Sequence, residues 1–326
     1  LVTLAACRAI PTAAAPLRRT ETMPPGHAER RAYQPMTLWP GRRRRLRFFP
    51  LPVLLLLLLC LAPGVYANAF SVVDAQGGDV NVQHTPADGR LLIIWLVDHA
   101  EERPLFESML KAVNAAGVEL WRVDLLDDYF LPRGSESVRT LSGEGMAALI
   151  AAAHQRSQKT ILLAAYDRMP LPLLRGANLW QSRHEGESRL AGALLFYPNL
   201  FDAVPPAGVE PQLDPVVHAT TLPVTLFQPV NGNHRWRLKE VMEGFWAAGS
   251  PAFADLVPGV RDWYFMHEQG KDPAETAATA AVPRLVEQFA GIMAARPNVP
   301  GRPVPQVRPA TASRVLGLTP LSPVPA

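Results

Sequence analysis

The residues best placed to do chemistry are Tyr166, Asp167 and Arg168. They follow an apolar run, Thr160 to Ala165, and precede Pro170, a residue suited to the first turn of a helix. A phenol, a carboxylate and a guanidinium thus stand where a buried strand turns into a helix. In an α/β sheet, ligands and catalytic groups collect at that end of the strands. The plain alternative for Asp167 is a solvated ion pair with its neighbour Arg168. Asp98 and His99 form an adjacent Asp-His pair in a second loop. Ser142, in Leu-Ser-Gly-Glu-Gly, reads better as a helix N-cap than as a nucleophile. His234 lies close to Asn231 and Asn233 and reads as a polar loop residue. His184 and His218 have no partner at metal-ligand spacing, and Asp124, Asp127 and Asp128 lack the glycine of a calcium loop. Neither a metal nor a cofactor is expected.

The elements that position these residues can be read from hydrophobic period. Asp79 to His84 alternates apolar and polar residues, as a half-exposed edge strand does. Leu91 to Val97 is continuously apolar, the pattern of a strand buried on both faces. A helix from about Arg103 to Ala116 has Pro104 in its first turn and Gly117 after its last. Phe106, Met109, Leu110 and Val113 form its apolar face. Val118 to Asp124 is the next strand, residues 125–134 are a loop past its end, and 145–155 an Ala-rich helix. After Thr160 to Ala165 come a helix over 171–180 and strands at Leu190 to Tyr197 and Leu222 to Gln228, each stopped by proline. A helix over 236–248, a last strand at Val260 to Met266 and a helix over 274–295 complete the order. Pro283 is expected to kink or divide that last helix. Alternation of this kind predicts an α/β fold: a mostly parallel sheet with helices on both faces.

The chain has an unusual beginning. Residue 1 is leucine, and residues 1–35 are rich in Arg, Ala and Pro with no hydrophobic period, which reads as untranslated or disordered leader. Met36 opens a basic segment that runs into the apolar stretch Leu51 to Leu61 and then Ala-Asn-Ala at 67–69. Residues 36–69 therefore read as a secretory signal peptide. The apolar stretch is short of the ~20 residues of a membrane span. Leu59 before Cys60 argues against a lipidation site, and Arg45 and Arg47 argue against a twin-arginine signal. Positions 1–69 hold 10 of the 32 Lys and Arg but 2 of the 29 Asp and Glu, which leaves 22 against 27 and a net charge of −5 for the exported part. No basic footprint for nucleic acid remains. The only cysteines, Cys7 and Cys60, fall in the leader, so the exported chain has neither disulfide nor thiolate metal site. Residues 70–295 suffice for one packed domain, and the prolines from 296 to 326 read as a linker or tail.

From about Val80 to Ala295 this order of elements resembles the α/β-hydrolase superfamily. That superfamily sets a serine in a G-x-S-x-G elbow between strand and helix. The matching window here is Ala164 to Arg168 or Ala165 to Met169, with neither serine nor glycine. The resemblance puts the nucleophile position at Tyr166 or Asp167. The acid would follow Leu222 to Gln228, where Asn231 and Asn233 stand, and the histidine would follow the last strand, where His267 stands. The oxyanion loop reads Asp98-His99-Ala-Glu-Glu, without glycine. Similar enzymes, the haloalkane dehalogenases and epoxide hydrolases, use an aspartate that forms an ester. Asp167, with His267 as the water-activating base, fits that scheme. Against it stand Ala165 and Met169 in place of the glycines, and Arg168 beside the carboxylate. A second resemblance concerns Leu316 to Ala326, which is similar to the Pro-rich lead-in of TlpA-like thioredoxin domains in exported bacterial proteins.

The expectation is an exported α/β-hydrolase-like domain of the cell envelope with a degenerate elbow, acting as a binding or accessory module. The rivals are a working hydrolase using Asp167 and His267, and a truncated thiol-disulfide protein. Asp98, His99, Tyr166 and Asn231 are expected at the pocket rim. The expected partner is a small molecule or an envelope protein, with membrane contact only through an uncleaved signal segment.

Overall fold

The computed structural model describes residues 68–99, 103–184, 186–202, 209–268, 272–296 and 299–305. The leader, most of the signal segment and the terminal residues 316–326 lie outside the described residues.

Eight strands form one sheet. They are β1 (Asn68–Val73), β2 (Asp79–Thr85), β3 (Leu91–Leu96), β4 (Glu119–Val123), β5 (Thr160–Tyr166), β6 (Leu190–Phe196), β7 (Val224–Pro229) and β8 (Ala252–Val257). Their spatial order is β1-β2-β4-β3-β5-β6-β7-β8. β1 and β2 are antiparallel to each other, β2 is antiparallel to β4, and all remaining pairs are parallel. The longer helices are α1 (Pro104–Ala115), α4 (Glu144–Arg156), α5 (Pro170–Arg183), α6 (Leu238–Ala248) and α7 (Pro273–Ala294). Two short ones, α2 (Leu125–Asp128) and α3 (Ser135–Thr140), occupy the segment after β4.

Period-two alternation in the central strands divides the core. Leu92, Ile94, Leu96, Leu163 and Ala165 pack with α4, α5 and α6. Ile93, Trp95, Leu162, Ala164 and Tyr166 pack with α1 and α7. Both faces of β3 and β5 are therefore covered, which is why these strands read as unbroken apolar runs. The glycines Gly143 and Gly176 let α4 and α5 approach closely. A Cβ on Gly143, at φ +94°, would lie 2.5 Å from the Gly176 nitrogen, and one on Gly176 would lie 2.4 Å from the Met146 Cβ.

Several expectations need correcting. β2 is not the edge, because β1 covers it, and Asn68 and Ala69 pair in β1 with His84 and Gln83. Residues 260–266 are not a strand. They are turns, and Trp263 adopts φ +66°, which no strand accommodates. The last strand is β8, whose half-exposed alternation around Asp255 gives a weaker signal. The 260–266 stretch is apolar for another reason. Tyr264, Phe265 and Met266 are buried against an aromatic cluster that includes Phe106, Tyr166, Phe196 and Tyr197. Pro283 does not divide α7, which runs through it as one helix.

Residues 299–305 lie on the domain as a strap. The Val299 carbonyl accepts from Gln181 Nε2 and Thr221 Oγ1, each at 3.0 Å. The Arg302 carbonyl accepts from Asn178 Nδ2 at 2.9 Å. Among the described residues no helix is long and apolar enough to cross a membrane.

Candidate functional site

β5 delivers Tyr166 and Asp167 to the carboxyl end of the sheet, and α5 begins three residues later. Asp167 has φ +51°. This left-handed turn costs roughly 1–3 kcal/mol for a residue with a Cβ and persists only where its surroundings enforce it. Here the Asp167 N–H donates to the Phe196 carbonyl at 3.2 Å, and the Asp167 carbonyl accepts from the Asn199 N–H at 2.6 Å. The backbone turn is thus bracketed by the end of β6 and the loop beyond it. Ala165 and Met169, two residues to either side, are fully buried in the core.

Above the turn lies a cavity of about 410 Å³. Asp98 and His99 line it from the loop after β3, Arg103 from the start of α1, and Arg133 and Ser135 from the segment after β4. Asp167 and Arg168 form its floor, and Trp263 comes from the turns after β8. Asp167 is 7% exposed and pairs with Arg168 Nη1 at 3.0 Å. Burial pushes its carboxyl up to about 6, aided by the charges of Asp98 and Asp262 and opposed by Arg168. Burial also raises Asp98.

Tyr166 links the two loops. Its hydroxyl accepts from the Asp98 N–H at 3.0 Å and bonds His99 Nδ1. Burial, with the charges of Arg122 and Arg103, lowers His99 to about 4, so the ring is neutral near pH 7. Burial raises the Tyr166 phenol, which keeps its proton. The phenol has one proton and two acceptors in reach, His99 Nδ1 and the Asp98 carboxyl; when it donates to Nδ1, the imidazole proton resides on Nε2. His99 Nε2 is buried and has no partner among the described residues. In this tautomer His99 presents a donor to its surroundings, not a base.

Asp167 and His267 do not line this cavity together. His267 is held at the start of α7 by Glu275 Oε2, 2.8 Å from its Nδ1, and Glu275 is buried. Asn231 is exposed in the turn after β7 and is not among the cavity-lining residues. Asp98, His99 and Asp167 do line it, and Tyr166 lies beneath. Sequence reasoning missed Arg103, Arg133 and Asp262, and read Trp263 only as core or rim. Asp262 takes the Asn233 N–H on Oδ2 at 2.7 Å, while its buried Oδ1 has no partner among the described residues. The usable signal was position, since Arg133 lies past the end of β4 and Asp262 and Trp263 past the end of β8. Among the described residues no group of three or more His, Cys, Asp or Glu could hold a metal ion.

No family model and no curated protein matches the chain. Solved structures do. Carboxyl esterase 2 from the mycorrhizal fungus Tuber melanosporum matches with a TM-score of 0.53 over 70% of this chain and 87% of that one, at 10% identity. The hyperthermophilic esterase of Pyrobaculum calidifontis matches with a TM-score of 0.53 over 73% and 88%, at 13% identity. The fold is α/β-hydrolase-like. At these identities the likeness is one of fold. Of Tyr166 and Asp167, Asp167 alone has positive φ. The loop after β7 offers Asn231 and Asn233 where the fold's triad acid would sit. One N–H of the loop after β3, that of Asp98, is already taken by Tyr166.

Proposed function

We propose that this α/β-hydrolase-fold protein is exported and binds a small ligand at its elbow without turning it over, as a binding or accessory module of the cell envelope. The observation that carries the reading is the pairing of Asp167 with Arg168 in a cavity whose lining histidine is tied to Tyr166 through Nδ1. A hydrolase needs a base that can take a proton from water or from the nucleophile. His267 does not line this cavity, and His99 lacks a free basic nitrogen when Tyr166 donates to its Nδ1, which supports the reading. Export rests on the basic and apolar segment from Met36 to Ala69. The test is an assay of phenyl acetate hydrolysis by the purified protein and by Asp167→Asn. The two should be equal to each other and to the buffer rate. Hydrolysis that vanishes in Asp167→Asn would sink the reading.

A second reading is a working hydrolase with an aspartate nucleophile, and the φ of +51° at Asp167 favours it. In that case a carboxylate oxygen attacks a haloalkane carbon, the carbon–halogen bond breaks, halide leaves and an ester remains on Asp167. Mass spectrometry after incubation with a bromoalkane separates the two. An adduct on Asp167 supports the second reading, and halide released over many turnovers establishes it.

A further inference from the structure

We propose that the elbow cavity is a site for a small organic oxyanion, a carboxylate or a phosphate, gripped by Arg133 and Arg168. The proposal deepens the binding reading above and rests on it. Three arginines, Arg103, Arg133 and Arg168, line the cavity beside two carboxyls, Asp98 and Asp167. Arg168 engages Asp167 through Nη1, yet its Nε is shielded from solvent and has no partner among the described residues. His99 Nε2 is in the same condition. Arg133 lines the cavity and engages Asp124 through Nη2 at 2.7 Å, one of the five N–H donors a guanidinium carries. Buried polar atoms in proteins are nearly always paired, so Arg168 and His99, two residues that line the cavity, keep hydrogen-bonding capacity that the described residues do not use.

Helix geometry adds to this. α1, of 12 residues, begins beside Arg103, and α5, of 14 residues, begins just after Arg168. Both helices begin at the end of the sheet where the cavity lies and place their positive dipole ends there. In α5, Pro170 and Pro172 carry no N–H, and the Leu171 and Leu173 N–H groups donate to the Arg168 and Met169 carbonyls, so that helix offers charge rather than free donors. Burial shifts both opposing carboxyls, Asp98 and Asp167, toward the neutral form, and Asp167 at about 6 loses its charge only below neutral pH. Guanidinium is the group suited to two-point capture of carboxylate or phosphate. Val138 and the Trp263 ring also line the cavity and suit an organic remainder. Its volume of about 410 Å³ falls in the range of small-molecule sites.

Isothermal titration calorimetry of the full chain with inorganic phosphate, benzoate and phenyl acetate tests the proposal. At least one anion should bind, and Arg168→Met or Arg133→Met should weaken it about tenfold. Arg168→Lys, which keeps the charge and loses the fork, should weaken it less. Circular dichroism of each variant reports folding, and the lysine variant keeps the test valid should a methionine variant unfold. Phosphate against benzoate tells which oxyanion is preferred. Phenyl acetate binding with no heat from either anion overturns the anion assignment and leaves the binding reading standing. Anion heats unchanged in all three arginine variants overturn the assignment, as does the absence of heat from all three probes. Turnover of phenyl acetate that is lost in Asp167→Asn overturns the binding reading itself.

Discussion

The two ends of the sheet treat buried charge in opposite ways. At the amino end, Glu119 opens β4 and is almost wholly satisfied. It accepts from His84 Nε2 and Trp121 Nε1, each at 3.0 Å, and pairs with Lys159 Nζ at 2.6 Å. At the carboxyl end, Asp167 has one charged partner, a strained backbone, and neighbours with unpaired polar atoms. The first arrangement fixes the register of β2, β4 and β5 and leaves nothing for a ligand to do. The second is locally unsatisfied within a well-packed scaffold. Sites that violate the rules obeyed elsewhere in a chain are where function is expected.

The contrast can be broken by mutation, and the largest effect belongs to the amino end. Glu119→Leu strands Lys159 and His84 and should cost about 3 kcal/mol in urea unfolding, since removing one partner of a buried pair is strongly destabilising. A loss near zero would mean that the amino end is no better satisfied than the cavity. Tyr166→Phe removes the hydroxyl shared by the Asp98 N–H and His99 and should cost about 1–2 kcal/mol.

Asp167→Asn should act the other way. The folded carboxyl titrates near 6, above its ordinary value of 3.8, so the folded state holds the proton more tightly. Stability is then lost as pH rises between those values. The variant should be more stable than the native protein by about 1 kcal/mol at pH 7, the loss of the Arg168 pair offsetting part of the shift, and should show no advantage at pH 4. Thermal melts at the two pH values check this, and equal differences at both would refute it. The smallest effect concerns the ligand. Benzoate affinity should rise roughly threefold, or about 0.7 kcal/mol, from pH 7 to pH 5 as Asp167 is neutralised. Asp167→Asn should flatten that profile.

Much of the scaffold was legible because buried parallel strands declare themselves. Leu91 to Leu96 and Thr160 to Tyr166 are apolar on both faces, and proline or glycine marks several element ends. The elbow's place followed from the strand's end, but its register did not. Only the φ of Asp167 separates it from Tyr166, and backbone sign is not written in residue type unless glycine is used. β8 was hidden because its two alanines and Asp255 favour a strand less than the Val, Trp, Tyr and Phe of residues 260–266 do. Missing it moved the expected histidine position to His267 and past Asp262 and Trp263. Arg133 escaped notice for a different reason. Its partner Asp124 lies nine residues earlier, and a guanidinium in a loop has no period to betray it.

The docked strap has a consequence for how the fold is completed in time. Asn178 reaches the Arg302 carbonyl across 124 residues of chain, and Gln181 reaches Val299 across 118. Contacts so distant in sequence carry the largest loop-closure entropy and are rewarded last. During synthesis, α5 must therefore wait for residues just past the end of α7 before its buried Asn178 amide is fully satisfied. The proline-rich stretch thus acts as the closing stitch of a folding reaction whose first half is already in place.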